Sequence, residues 1–175
     1  MRHEMPTKKN LADQAIKVEQ DVLRENVGIQ DQILAAHGGL RAISIDRKGD
    51  YEVNSLILPP DYLQALEEHV LLGFTGQTRD ATHMAGAQIE KIQRGNSCMS
   101  EIHSIAQEAL QLFEAKADLP RIGKLLDASW RIKRSITTGI SNDQIDDLYE
   151  AGLNAGAYGG KLLGAGGGGF IMFLA

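Results

Sequence analysis

A chain of 175 residues with 43% hydrophobic content can bury one real core. Its net charge of −5 argues against the basic surface that a broad nucleic-acid footprint needs. The single Cys98 cannot close an internal disulfide, no zinc-ligand spacing exists, and no signal peptide or ~20-residue apolar span occurs, so a soluble, cytoplasmic protein with no membrane partner is expected.

Thr7 is placed to cap a helix running to about Glu25, with Leu11, Ala15, Val18 and Val22 as its buried stripe. Glu19 falls at the edge of that stripe. It is either a boundary residue or a carboxylate aimed into a site. The segment Val27 to Gly39 reads as a glycine turn, a short helix and a Gly38-Gly39 stop. Asp31 then sits in the first helical turn, where the amide dipoles favour negative charge. An ordinary capping role for Asp31 fits the local sequence better.

Leu40 to Asp46 and Tyr51 to Leu58 form a hairpin signal around Arg47-Lys48-Gly49-Asp50, closed by Pro59-Pro60. A helix over Asp61 to Glu68 is expected next, then His69 to Phe74 as a buried strand. That strand runs into Thr75-Gly76-Gln77-Thr78-Arg79. Loops at the carboxyl ends of strands commonly hold ligands, and the Arg79 guanidinium suits phosphate. A helix-capping turn with a solvated arginine is the competing reading.

The middle of the chain is helical. Met99, Ile102, Ile105, Ala106, Ala109, Leu110 and Phe113 share one face. Asp118 and Pro120 open a second helix, which carries Arg131, Lys133 and Arg134 in its last turns. Ser141 with Gln144 makes a capping box for a third helix that Gly156 closes.

The chain then reaches Gly159-Gly160-Lys161-Leu162-Leu163-Gly164-Ala165-Gly166-Gly167-Gly168-Gly169-Phe170. Gly164 to Gly169 contain G-x-G-x-x-G, but a short apolar strand follows where a dinucleotide fingerprint needs a helix. Phe170 stands where a P-loop needs lysine. Strand, glycine turn, strand is the pattern that remains, and Phe170 to Leu174 would be an exposed apolar edge if its usual neighbours are missing.

Three segments together resemble the galactokinase, homoserine kinase, mevalonate kinase and phosphomevalonate kinase superfamily, the GHMP kinases. They are Glu19 with Gly28-Ile29-Gln30-Asp31-Gln32, Phe74 to Arg79, and Lys161 to Phe170, and the resemblance extends from about Thr7 to Phe173. Within that superfamily the phrasing is most similar to kinases of D-glycero-D-manno-heptose 7-phosphate. The resemblance implies an α+β fold. Residues 1–58 correspond to a remnant of the kinase N-terminal domain, and 59–175 to a ferredoxin-like C-terminal domain with a mixed or antiparallel sheet.

The resemblance also implies ATP and Mg²⁺ as cofactors. By that resemblance Asp31 would be the base on the sugar hydroxyl and Glu19 a metal ligand. Gly164, Gly166, Gly167 and Gly168 would line the nucleotide, and Thr75, Gly76 and Arg79 would meet the sugar phosphate. No segment of the form P-x-x-x-G-L-G-S-S, which cradles the ATP phosphates in that superfamily, occurs in the sequence. The expectation is a middle-to-C-terminal kinase fragment that works with an N-terminal half or a second copy. A non-catalytic sugar-phosphate-binding module on the same fold is the alternative.

Overall fold

The computed structural model describes residues 5–78 and 98–175. The chain divides into two compact units, Met1–Ile57 and Leu58–Ala175. Among the described residues no helix is long and apolar enough to cross a membrane.

In the first unit, helix α1 (Lys8–Lys17) starts as expected, with Thr7 Oγ1 accepting from the Asn10 amide at 3.1 Å. It does not continue as an α-helix to Glu25. At Val18–Val22 the backbone widens into a π-turn, closed by Leu23 N donating to Val18 O at 2.9 Å. The expected buried stripe is also corrected. Ala12 is fully buried, whereas Leu11, Val18 and Val22 are 48%, 49% and 67% exposed. Helical spacing identifies an apolar face but not what covers it. The π-turn also adds a residue to its own turn, so the 3.6-residue register breaks before Val22.

Helix α2 (Gln30–His37) packs on α1 and stops at Gly38, whose φ of 65° suits glycine. Cations satisfy its last carbonyls: Lys8 Nζ donates to His37 O at 2.7 Å and Arg41 Nε to Gly38 O at 2.6 Å. Strands β1 (Arg41–Ile45) and β2 (Tyr51–Ser55) form the antiparallel hairpin, with Ile43 opposite Val53. Asp46 Oδ1 holds its turn by accepting from the amides of Lys48 and Asp50 at 2.7 and 3.0 Å. Tyr51 ties the hairpin to α1, its hydroxyl donating to Asp13 Oδ1 at 2.7 Å with Lys9 Nζ 4.7 Å from the ring centroid.

The second unit has the α+β organisation that the sequence indicates. Helix α3 (Pro60–His69) leads directly into β3 (Val70–Phe74). Helices α4 (Cys98–Glu114), α5 (Leu119–Ile136) and α6 (Asp143–Asn154) follow, then β4 (Gly159–Leu162) and β5 (Phe170–Leu174). The antiparallel sheet has the order β3-β5-β4, with Leu72 opposite Met172 and Gly160 opposite Phe173. Trp130, Ile140, Ile145, Tyr149, Leu162, Ile171 and Phe173 form the main core. A second cluster gathers Tyr62 and Leu66 around Leu112, Ile122 and Leu174.

Two strand expectations are reversed by this topology. Phe170 to Leu174 is the central strand rather than an exposed edge. The apolar run of β3 is not buried; Leu71, Leu72 and Phe74 are 60%, 56% and 54% exposed. Composition alone cannot distinguish a central strand from an edge strand, because both runs are short and apolar. Helix α6 also begins one residue later than the expected capping box. Asn142 Oδ1 accepts from Ile145 N at 3.1 Å, while Ser141 Oγ donates to Asp146.

Helix α5 meets β4 backbone to backbone at paired glycines. A Cβ on Gly159 would stand 1.9 Å from Gly123 O, and one on Gly123 would stand 2.5 Å from Tyr158 Cβ. Only hydrogen fits there. Gly159→Ala is therefore expected to destabilise the second unit by about 1–3 kcal/mol through overpacking, read as a lower urea midpoint. An unchanged midpoint would show that the contact yields freely. The exposed apolar β3 edge is expected to drive concentration-dependent self-association in sedimentation velocity, and Leu72→Lys to suppress it with stability changed by less than about 0.5 kcal/mol. Unchanged association would exclude the edge as its cause.

Candidate functional site

The expected site residues that the structure describes are divided between the two units. In the first unit, the π-turn carries Glu19 and the first turn of α2 carries Asp31 and Gln32. Gln32 is 8% exposed, and its Nε2 donates to Glu19 Oε2. Asp31 is exposed at the amino end of α2, where Ile29 supplies no side-chain cap. Successive helical residues diverge by about 100°, so Asp31 and Gln32 leave α2 in different directions.

This donor set can be tested against magnesium. Among the described residues no group of three or more His, Cys, Asp or Glu could hold a metal ion. Mg²⁺ rarely uses an all-protein cage. It is usually held by one or two carboxylates together with substrate phosphates, and Glu19 supplies the hard oxygen this requires. The residues fit that mode of binding.

In the second unit, residues 163–169 form the glycine loop between β4 and β5. Gly164, Gly166 and Gly167 have φ values of 68°, 106° and 77°, a region that side chains other than glycine rarely adopt. Hydrogen bonds from several elements hold the loop. Leu163 N donates to Phe170 O at 2.9 Å and Gly167 N to Ile140 O at 2.8 Å. Lys133 Nζ donates to Gly164 O, and Gly169 N donates to Gln77 O at 2.9 Å. Among the described residues the amides of Gly164, Gly166 and Gly168 make no backbone hydrogen bond. They are the loop's unspent donors.

The segment after β3 braces this loop. Thr75 is 2% exposed; its amide and its hydroxyl both donate to Gly169 O at 2.9 Å. Gly76 turns the chain with φ 75°. Asn142 Nδ2 donates to Gln77 Oε1 at 2.9 Å, and Gln77 Nε2 to Gln144 Oε1 at 2.5 Å. Gln144 Nε2 also reaches Thr75 O at 3.3 Å. The Thr75 hydroxyl, expected at a sugar phosphate, is thus spent on the loop itself. Arg79 lies outside the described residues. Lys133, Gln77, Asn142 and Gln144 had no role in the sequence reading of this loop, because their partners are remote in the chain.

At β4, the one Tyr149 hydroxyl proton is shared between Asp127 Oδ1 at 2.8 Å and Gly160 O at 3.0 Å, and Arg131 Nε holds Asp127 Oδ2 at 2.8 Å. Burial raises the Tyr149 phenol, reinforced by its bond to Asp127. Burial also acts to raise Asp127, but the bonds from Arg131 and Tyr149 outweigh it and hold the carboxyl below its ordinary value. Lys161, within β4, is pushed below the usual lysine range by burial.

Helices packed with an antiparallel sheet, and a braced glycine loop between two adjacent strands, define a class. Residues 106–175 match the family model described as GHMP kinases C terminal. Over 163 residues it is 33% identical to D-glycero-alpha-D-manno-heptose 7-phosphate kinase of Campylobacter jejuni, covering 90% of this chain and 48% of that protein. The fold is similar to L. major mevalonate kinase in complex with R-mevalonate, with TM-score 0.72, 20% identity, and coverage of 97% of this chain and 50% of that one. It is also similar to Lactococcus lactis galactokinase complexed with galactose, with TM-score 0.70, 21% identity, and coverage of 98% and 52%. The chain spans about half the length of these relatives.

Removing the Thr75 hydroxyl tests the brace. Thr75→Val keeps the shape and deletes one bond to Gly169, with an expected cost of about 0.5–1.5 kcal/mol and faster hydrogen exchange at residues 163–169. Exchange unchanged throughout that loop would exclude the hydroxyl as its anchor.

Proposed function

We propose that this chain forms the base-bearing, metal-binding and glycine-loop portion of a GHMP-type sugar kinase. That enzyme transfers the γ-phosphoryl group of ATP to a sugar hydroxyl, and the acceptor we favour is the anomeric hydroxyl of D-glycero-D-manno-heptose 7-phosphate. The observation that carries the proposal is the cluster at the start of α2, where Gln32 holds Glu19 and Asp31 stands exposed beside it. The 33% identity to the Campylobacter jejuni heptose kinase supports the choice of sugar.

Phosphoryl transfer asks the protein for positioning and charge neutralisation more than for covalent chemistry. Asp31 would accept the proton of the acceptor hydroxyl as its oxygen forms the new bond to the γ-phosphorus. The bond from that phosphorus to the β–γ bridging oxygen breaks, and ADP departs. Mg²⁺, held by Glu19 with the nucleotide phosphates, would neutralise the charge that develops on the transferring group. The open amides of Gly164, Gly166 and Gly168 are donors of the kind that phosphate oxygens accept from.

Within this proposal the protein works in a reducing, cytoplasmic setting, consistent with its lone cysteine. Its partners are the sugar phosphate and a polypeptide segment, in the same assembly, carrying the P-x-x-x-G-L-G-S-S phosphate cradle.

The test is turnover of ATP–Mg²⁺ with heptose 7-phosphate by the chain assembled with a segment carrying the phosphate cradle, read as ADP and the doubly phosphorylated sugar. Asp31→Asn is expected to lower kcat by about 10²–10⁴-fold while leaving the circular dichroism spectrum unchanged. Undiminished turnover in that variant would remove Asp31 from the base role. Sugar-phosphate binding without turnover in the unaltered protein would assign a non-catalytic binding module instead.

A further inference from the structure

Gln32 is the feature that packing does not explain. It is 8% exposed in the first turn of α2, beside the fully buried Ile33. An apolar side chain of similar volume would fill that position without leaving polar atoms to satisfy. Instead, Nε2 of the amide donates to Glu19 Oε2, while its own Oε1 is buried with no hydrogen-bond partner.

The direction of the amide follows from charge. An ionised carboxylate only accepts, so the NH₂ end must face Glu19 and the carbonyl end must turn toward the interior. Leaving a buried carbonyl unpaired is costly, and among the described residues the charge-assisted bond to Glu19 is the compensation this amide has. The backbone at Glu19 is held as well. Glu25 N donates to Glu19 O at 3.0 Å, and Leu23 N closes the π-turn on Val18 O at 2.9 Å. Glu19 is therefore secured at the main chain by the turn and at one carboxylate oxygen by Gln32.

We infer that Gln32 is a positioning residue, which orients the Glu19 carboxylate so that its other oxygen is presented to a divalent cation. The neighbouring Asp31 is left unencumbered for the acceptor hydroxyl. This rests on the proposed metal role of Glu19 and adds to it a residue outside the expected site. Outer-shell partners of metal-binding carboxylates typically tune affinity by about 10–100-fold.

The experiment uses the full chain with Mn²⁺ and ATP together as the probe, so that the phosphates complete the coordination, followed by electron paramagnetic resonance. Gln32→Met keeps the volume and deletes the hydrogen bond; Glu19→Gln deletes the ligand. Gln32→Met is expected to weaken Mn²⁺ binding by about 10–100-fold with an unchanged melting midpoint, and Glu19→Gln to abolish it. Parent-like Mn²⁺ affinity in Gln32→Met, with binding lost in Glu19→Gln, would overturn the inference and leave the metal role of Glu19 intact. Parent-like affinity in Glu19→Gln, or no Mn²⁺ binding by the unaltered chain, would overturn the metal role and the inference with it.

A second measurement needs no variant, should Gln32→Met fail to fold. In the unaltered chain, Mn²⁺ is expected to broaden the Gln32 side-chain NH₂ resonance beyond detection before that of the exposed Gln14. Equal persistence of both resonances at saturating Mn²⁺ would overturn the inference.

Discussion

The second unit depends on one close approach. Glycines at Gly123 and Gly159 let the backbone of α5 touch the backbone of β4, where a single Cβ would come within 1.9 Å of a carbonyl oxygen. That contact sets how near the helix layer lies to the sheet. Phe173 fills the next layer, against Gly152 and Gly160, whose own Cβ atoms would collide with its ring. Trp130 and Tyr149 complete the packing with ring centroids 6.1 Å apart, and Tyr149 lies 5.6 Å from Phe173. The polar brace of Tyr149 and Asp127 fits beneath β4 because the helix is this close.

The glycine loop inherits its position from that platform. Its two ends are fixed by the β4–β5 pairing, and its middle is held by main-chain bonds to Ile140 and Gln77. Lys133 secures Gly164 from α5. The positive-φ glycines leave some amides turned away from these bonds, giving a rigid loop that still has donors to offer. Rigidity and unspent donors are the two properties a phosphate-facing loop requires.

The first unit reaches its arrangement by a local irregularity. A regular α-helix through Val22 would carry Glu19 around with the 3.6-residue period. The π-turn interrupts that period at Glu19 itself, and the carboxylate meets a buried amide 13 residues further along the chain. Ala12 is fully buried in α1, and α1 packs on α2.

The sequence by itself determined the local elements, because their signals are local. Thr7 marked the start of α1, Pro120 the start of α5 and Gly38 the end of α2, each through a backbone group or dihedral that only certain residues satisfy. The strand–glycine–strand motif was equally legible, since so much glycine between apolar runs demands a turn. Tertiary structure alone decided which apolar run lies at the centre of the sheet. It also put Asn142 rather than Ser141 at the head of α6, and turned the Thr75 hydroxyl to Gly169, 94 residues away. The physical reason is common to all three. A residue's type states what it can bond or bury, whereas the partner that claims it comes from distant chain, and only folding brings that partner within reach.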